Sequence, residues 1–260
     1  LIVLAGLDPV ELIRKPWPYS APVVELAAAT YSPHYVQPAV RVTGDLAQIL
    51  KHLTANLAGG DWRVSDIAGH RQAFLDGMAM PDGAGLSAGA VVRAAVDAFG
   101  PSSRLTVDAG AHMFSACALW QAAAPLDLLI SNGLASMGFA LPAAIAAALH
   151  DPERGAVAMT GDGGLLMCLG ELKTAAQTNA NITVIVFNDA RLSLIDIKRQ
   201  QRQMPDLGLS WTPPNFADVA RGFGFAVWRA ETEADMRQAA NAAAATAGPS
   251  LIDARIEPSG

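Results

Sequence analysis

The chain alternates between short, uninterrupted aliphatic runs and longer stretches in which apolar residues recur every three or four positions. Runs bounded by turn residues, such as residues 2–5 and 23–26, have the composition of strands buried on both faces. Residues 46–57 instead place Leu46, Ile49, Leu50 and Leu53 on one stripe, which predicts an amphipathic helix. Residues 1–57 thus read as two strands and a helix, the closing part of an α/β domain whose beginning is missing. Residues 58–85 change character. Gly59-Gly60, a helix predicted over 65–78 and Pro81-Asp82-Gly83 read as an interdomain linker. A strand already under way at residue 2, with no Met before it, predicts that the chain is a fragment.

From Leu86 onward the alternation is regular. Ser87 is placed to cap a helix that runs to Phe99 and stops at Gly100-Pro101. Strands are predicted over 105–108, 128–130, 156–160, 182–188 and 251–256, and helices over 137–149, 170–179 and 232–247. Strands alternating with helices predict an α/β fold over residues 86–260: a doubly wound parallel sheet with helices on both faces. Ligands of such sheets bind beyond the carboxyl ends of the strands, so the strand-to-helix corners are where chemistry is expected.

Composition narrows the function classes. With 52% hydrophobic and 16% charged residues, the chain has enough apolar material for large cores. Its net charge of -6 gives no basic footprint for nucleic acid. Two distant cysteines, Cys117 and Cys168, make no disulfide framework and fit a reducing, cytoplasmic setting. No apolar run reaches the ~20 residues of a membrane helix. No Gly-x-Ser-x-Gly elbow is present, and no Gly-x-Gly-x-x-Gly follows a strand, against a serine hydrolase and an NAD site respectively. His34, His52, His70 and His150 share no metal-ligand spacing.

The sharpest corner is Gly161-Asp162-Gly163-Gly164, after the strand over 156–160. Flanking glycines let the backbone approach a ligand, a following helix start favours phosphate, and Asp162 is a hard oxygen ligand suited to Mg²⁺. By itself the pattern is weak, and a tight turn capped by its own Asp is its commoner meaning. A second oxygen-rich corner, Asn188-Asp189-Ala190-Arg191, follows the next strand. On adjacent parallel strands the two corners lie side by side, spaced to hold one metal and a diphosphate.

Gly161-Asp162-Gly163, then Glu171, then Asn188-Asp189 resembles the signature of thiamine-diphosphate (ThDP) enzymes, in which an Asn-Asn pair closes the motif. The resemblance implies Mg²⁺ held by Asp162, Asp189 and the main-chain carbonyl of Arg191, with Glu171 structural. Asp189 replaces the family's Asn and adds a negative charge. Asp108-Ala109-Gly110-Ala111-His112 resembles the Asp-Val-Gly-Gln-His stretch of acetolactate synthases, which touches the diphosphate; Ala111 removes one polar contact. Residues 131–142 resemble their Ser-Gly-Gly-Leu-Gly-Thr-Met-Gly-Phe-Gly-Leu-Pro segment. That likeness implies that Met137 wedges the cofactor into its bent shape, and that the Ala135 carbonyl accepts a hydrogen bond from its aminopyrimidine. Residues 1–57 resemble the end of the family's middle domain.

The resemblance implies an acetolactate synthase-like carboligase acting on a 2-ketoacid, with ThDP and Mg²⁺ as cofactors. FAD, kept by some relatives, has no support in these residues. It also implies a homodimer or homotetramer, and an activating glutamate from an N-terminal pyrimidine-binding domain that these residues do not contain, so that the fragment alone would be inactive. Leu194 and Lys198 stand where acetolactate synthases have a Met and the Trp that shapes the acceptor pocket. These departures leave open a 2-ketoacid decarboxylase or C–C lyase, and Lys198 points to an anionic substrate. A non-catalytic ThDP-binding regulatory module and a flavodoxin-like nucleotide binder are the remaining alternatives.

Overall fold

A computed structural model describes residues 1–7, 17–31, 36–55, 57–78, 85–206 and 208–257. His34 and the predicted turn at 81–83 lie outside the described residues. The chain divides into two compact units, Leu1–His70 and Arg71–Gly260, each described by itself.

In the first unit, β1 (Ile2–Ala5), β2 (Val23–Ala27) and β3 (Val40–Thr43) form a parallel sheet with β2 in the middle. Two strands were expected from the sequence. The third, Val-Arg-Val-Thr, is short, and its two valines stay 52% and 39% exposed, so it carries no buried run to betray it. Its Arg41 lies opposite Glu25 of β2 in register and pairs with it at 2.5 Å. Glu25 is buried, and such a carboxylate needs a partner of opposite charge. Helix α1 (Leu46–Thr54) starts at Asp45, whose side chain accepts from the Gln48 amide, and it ends earlier than the predicted residue 57. Leu46 packs toward Gly6 and Ile49 toward Gly44, while Leu50 and Leu53 remain more than a third exposed. Helix α2 (Val64–Gly77) buries none of its side chains among the described residues.

The second unit opens with α3 (Ala88–Phe99), capped by the Ser87 side chain on the Ala90 amide and closed by Gly100 with φ 70°. There follow β4 (Arg104–Val107), α4 (Ala111–Leu119), β5 (Leu128–Ile130), α5 (Ala140–His150), β6 (Ala156–Gly161), α6 (Asp162–Met167) and α7 (Glu171–Gln177). The chain continues through β7 (Ile182–Asn188), α8 (Ser193–Gln201), α9 (Phe216–Gly222), β8 (Ala226–Ala230), α10 (Glu233–Ala244) and β9 (Ser250–Arg255). Six parallel strands stand in the order β5-β4-β6-β7-β9-β8.

Alternate residues of each central strand serve opposite faces. Val157, Met159, Ile185 and Phe187 point into one core with α3, α4 and α10; Ala158, Ile182, Val184 and Val186 point into the other with α5, α7 and α9. This is the doubly wound α/β sheet that the sequence predicted. Helices α4, α8 and α9 and strand β8 have no predicted range, and α6 was expected only as a helix start at the Gly161–Gly164 corner. Helix α6 has six residues starting inside the glycine cluster, and β8 is only partly buried apart from Ala230. Neither presents a distinct apolar period.

Candidate functional site

The chain runs from β4 outward to β5 and returns across it to β6, so β4 and β6 are neighbours whose following segments leave toward opposite faces. This is the switch point at which doubly wound sheets open a crevice. A cleft of about 230 Å³ lies there. Its walls are residues 109–112 after β4, Ala135 and Met137 ahead of α5, residues 161–164 after β6, Phe187, Asp189 and residues 191–195 after β7, with Lys198, Ala88 and Ile256. Gly110, Ala111, His112, Ala135, Met137, Gly161, Asp162, Gly163, Gly164, Asp189, Arg191 and Leu194, the candidates read from the sequence, all lie on this one cleft. Glu171 begins α7 and is not on it, and no glutamate is among the lining residues.

The carboxylate of Asp108 is buried behind the cleft. Its Oδ1 accepts from the Phe139 and Ala140 amides at 2.7 and 2.6 Å, and its Oδ2 accepts from the Gly138 amide at 3.0 Å and the Thr160 hydroxyl at 2.6 Å. Helix α5 has no side-chain cap of its own, so an Asp from a distant strand satisfies its first amides. The cap also explains why α5 starts at Ala140 and not at the predicted 137: Gly138 turns at φ 73° to aim its amide at Asp108. Gly164 is required for the same reason, since a Cβ there would stand 2.2 Å from Asp108 Oδ2. The sequence reading placed Asp108 within a diphosphate-contacting stretch and missed this role; with Ser136 directly ahead of the predicted start at 137, nothing local signals a distant cap.

Gly110 is the N-cap of α4 and makes room for His112, whose Cε1 would lie 2.6 Å from a Cβ at Gly110. His112 is buried and stacks on Phe187, ring centroids 5.0 Å apart. Burial pushes its imidazole down to about 4, against the opposing pull of Asp108 and the Met159 backbone, so the ring is neutral at pH 7. Its Nε2 is buried without a hydrogen-bond partner. On the other wall, Ala135 holds φ 48° and Ala190 holds φ 58°. Left-handed backbone at a residue with a Cβ is strained, and here it sits in two loops at one cleft. Gly163 lies between them, where a Cβ would meet Leu192 Cδ2 at 2.8 Å and Met137 Cε at 3.3 Å.

Asp162 and Asp189 bring the two oxygen-rich corners together, because β6 and β7 pair in register up to Gly161 and Phe187. Asp162 is 2% exposed. Its Oδ1 accepts from the Gly163 amide at 2.7 Å, and its Oδ2 has no partner. Burial raises its carboxyl to about 6 against the pull of the Gly163 amide, and the charge of Asp189 raises it further. Asp189 is also raised, by burial first, while Ser193 and the Arg191 amide pull it back. Both its oxygens are engaged, by the Arg191 amide at 3.2 Å and by the Ser193 hydroxyl. An orphaned buried carboxylate oxygen facing a second carboxylate suits a hard divalent cation. Among the described residues no group of three or more His, Cys, Asp or Glu is placed to hold a metal. The pair therefore fits Mg²⁺ in the manner in which that ion binds one or two carboxylates and fills its remaining positions with water, carbonyl and phosphate oxygens.

Known proteins agree with this geometry. Residues 108–254 match the thiamine pyrophosphate enzyme family in its C-terminal TPP binding domain. Acetolactate synthase isozyme 1 large subunit of Escherichia coli is 34% identical over 59% of this chain and 28% of its own length. The catabolic acetolactate synthase of Raoultella terrigena is 30% identical over 97% of this chain and 47% of its own, and the acetolactate synthase of Bacillus subtilis 25% identical over 99% and 47%. The chain thus spans about half the length of its full-span curated relatives. With the switch-point cleft, the paired carboxylates and the matched domain in agreement, the chain belongs to the thiamine pyrophosphate enzymes, and these three relatives there are acetolactate synthases.

Proposed function

We propose that this protein uses ThDP and Mg²⁺ to make or break a C–C bond beside the carbonyl of a 2-ketoacid, as a carboligase of the acetolactate synthase kind. The observation that carries the reading is the unpartnered Oδ2 of buried Asp162, facing Asp189 at the end of the adjacent strand. Asp162, Asp189 and the Arg191 carbonyl would hold the metal, and the amides around Gly110 and residues 161–164 would receive the diphosphate. Met137, packed toward Gly163, would support the thiazolium side, and the Ala135 carbonyl, turned by its left-handed φ, would face the pyrimidine. When bound, ThDP supplies a nucleophilic carbon and an electron sink. The chain's own contribution is to fix that group in a cleft with apolar walls, where fixed dipoles and charges act strongly.

A 2-ketoacid decarboxylase or C–C lyase is the second reading, favoured by Leu194 and Lys198 on the cleft wall, where acetolactate synthases carry Met and Trp. In either case residues 86–260 serve as the diphosphate domain, and assembly as a dimer or tetramer would bring a pyrimidine-binding domain to the cleft. Calorimetric titration of ThDP with and without Mg²⁺, beside an Asp162→Ala control, tests the reading. Metal-dependent binding abolished by the substitution is the expected result. Equal binding by both proteins, or none by a folded full-length protein, rejects it.

A further inference from the structure

The cleft carries a cation that its binding of metal and diphosphate does not use. Three basic residues sit on or just ahead of α8: Arg191, Lys198 and Arg199. Buried Asp196, between them in sequence, gathers the two arginines: Arg191 Nη1 reaches its Oδ2 at 2.8 Å and Arg199 Nε its Oδ1 at 2.6 Å. Gln200 donates to the same carboxylate at 2.9 Å, and Arg199 also donates to the Met204 carbonyl. The exposed Lys198 side chain makes no ion pair or hydrogen bond among the described residues, yet it lines the cleft. Of its cleft neighbours on α8, Leu194 and Ile195 are apolar and Ser193 is uncharged and bonded to Asp189, so none offers it a counter-charge. The two carboxylates of the cleft belong to the corners at Asp162 and Asp189.

We infer that Lys198 is a specificity-determining residue that receives an anionic group on the substrate, remote from the reacting carbonyl, so that the preferred substrate is a 2-ketoacid with a second carboxylate. The inference rests on the ThDP reading of the same cleft and deepens it. Asp196 serves it indirectly: by holding both arginines it leaves one unpaired charge facing the substrate space. A carboxylate on a flexible chain can meet a lysine ammonium from several directions, because lysine is a point charge and not a planar fork.

The test uses the full-length protein loaded with ThDP and Mg²⁺. 2-Oxoglutarate and 2-oxopentanoate have the same chain length and differ by the distal carboxylate. We expect kcat/KM to favour 2-oxoglutarate by about fivefold, the upper size of one ion pair at an exposed lysine. Lys198→Ala removes the preference through KM, Lys198→Arg retains it, and ThDP affinity by calorimetry is the same in all three proteins. Equal kcat/KM for the two acids, turnover of neither, or a preference that survives Lys198→Ala overturns the inference while leaving cofactor binding intact. A drop in ThDP affinity in Lys198→Ala, matching the drop in kcat/KM, assigns the lysine to the diphosphate and also overturns it. Failure of the unsubstituted protein to bind ThDP is the separate result that removes the underlying reading and the inference with it.

Discussion

Asp162 is a carboxylate that the fold makes uncomfortable. Its carboxyl is raised to about 6 by burial and by Asp189, so the native protein holds a proton there that the unfolded chain, titrating near the ordinary 3.8, has already released. Stability tied to this proton is present at low pH and falls as pH rises from about 4 through 6. Two outcomes follow for the metal-free protein. Asp162→Asn raises the melting temperature at pH 8, by roughly 1–2 kcal/mol of stability, while abolishing Mg²⁺-dependent ThDP binding; thermal denaturation and calorimetry check the two halves. In the unsubstituted protein Mg²⁺ binding weakens below about pH 6, where protons compete for Asp162, and a Mg²⁺ titration repeated from pH 5 to 8 reads this. Ala190 makes a parallel case. At φ 58° its Cβ is a burden, so Ala190→Gly stabilises the apo protein by about 1 kcal/mol in chemical denaturation, the left-handed penalty relieved.

At the scale of elements, α5 shows how one helix start depends on a residue about thirty positions earlier in the chain. Asp108→Ala orphans the buried Ala140 amide, the part-buried Gly138 and Phe139 amides and the buried Thr160 hydroxyl together. The expected loss is about 3 kcal/mol or more in urea unfolding, with ThDP binding weakened because Met137 stands just ahead of the freed helix start. This dependence was not legible in sequence. The apolar period over 137–149 announced a helix, but the residue that caps it lies two elements away, and local rules look only at neighbours. Where the cap is local the reading succeeded: Ser87 bonds the amide three residues on, as its position predicted, and Thr232, predicted as the first residue of its helix, caps α10 in the same way. The stripe of α1 is a different case. Its period predicted the helix, but periodicity does not say how much of a stripe is covered, and Leu50 and Leu53 are more than a third exposed.

For the whole molecule, the order β5-β4-β6-β7-β9-β8 gathers residues from six separate stretches of chain onto one cleft. A ligand bound across those stretches ties them together in the folded state only. ThDP with Mg²⁺ at about a hundred times the dissociation constant should therefore stabilise the protein by about 2.7 kcal/mol. A scanning calorimetry trace should shift upward with both present and return when EDTA removes the metal. A shift of the same size with ThDP alone would show that the paired carboxylates hold no cation in the complex.

The sequence alone determined the class of fold, the strands at the centre of the sheet and many of the residues that line the cleft, though not Ala88, Phe187, Leu192, Ser193, Ile195 or Ile256. Buried parallel strands must be continuous apolar runs, and glycines beside an acidic residue mark a corner where backbone meets ligand. Only the tertiary structure decided how those residues are used. The role of Asp108 as a distant cap, the orphaned oxygen of Asp162, the neutrality of His112 and the freedom of Lys198 beside two tethered arginines each depend on burial and on partners from other elements. Hydrogen bonding and desolvation are set by what surrounds a group in space, and along the chain those surroundings lie tens of residues apart.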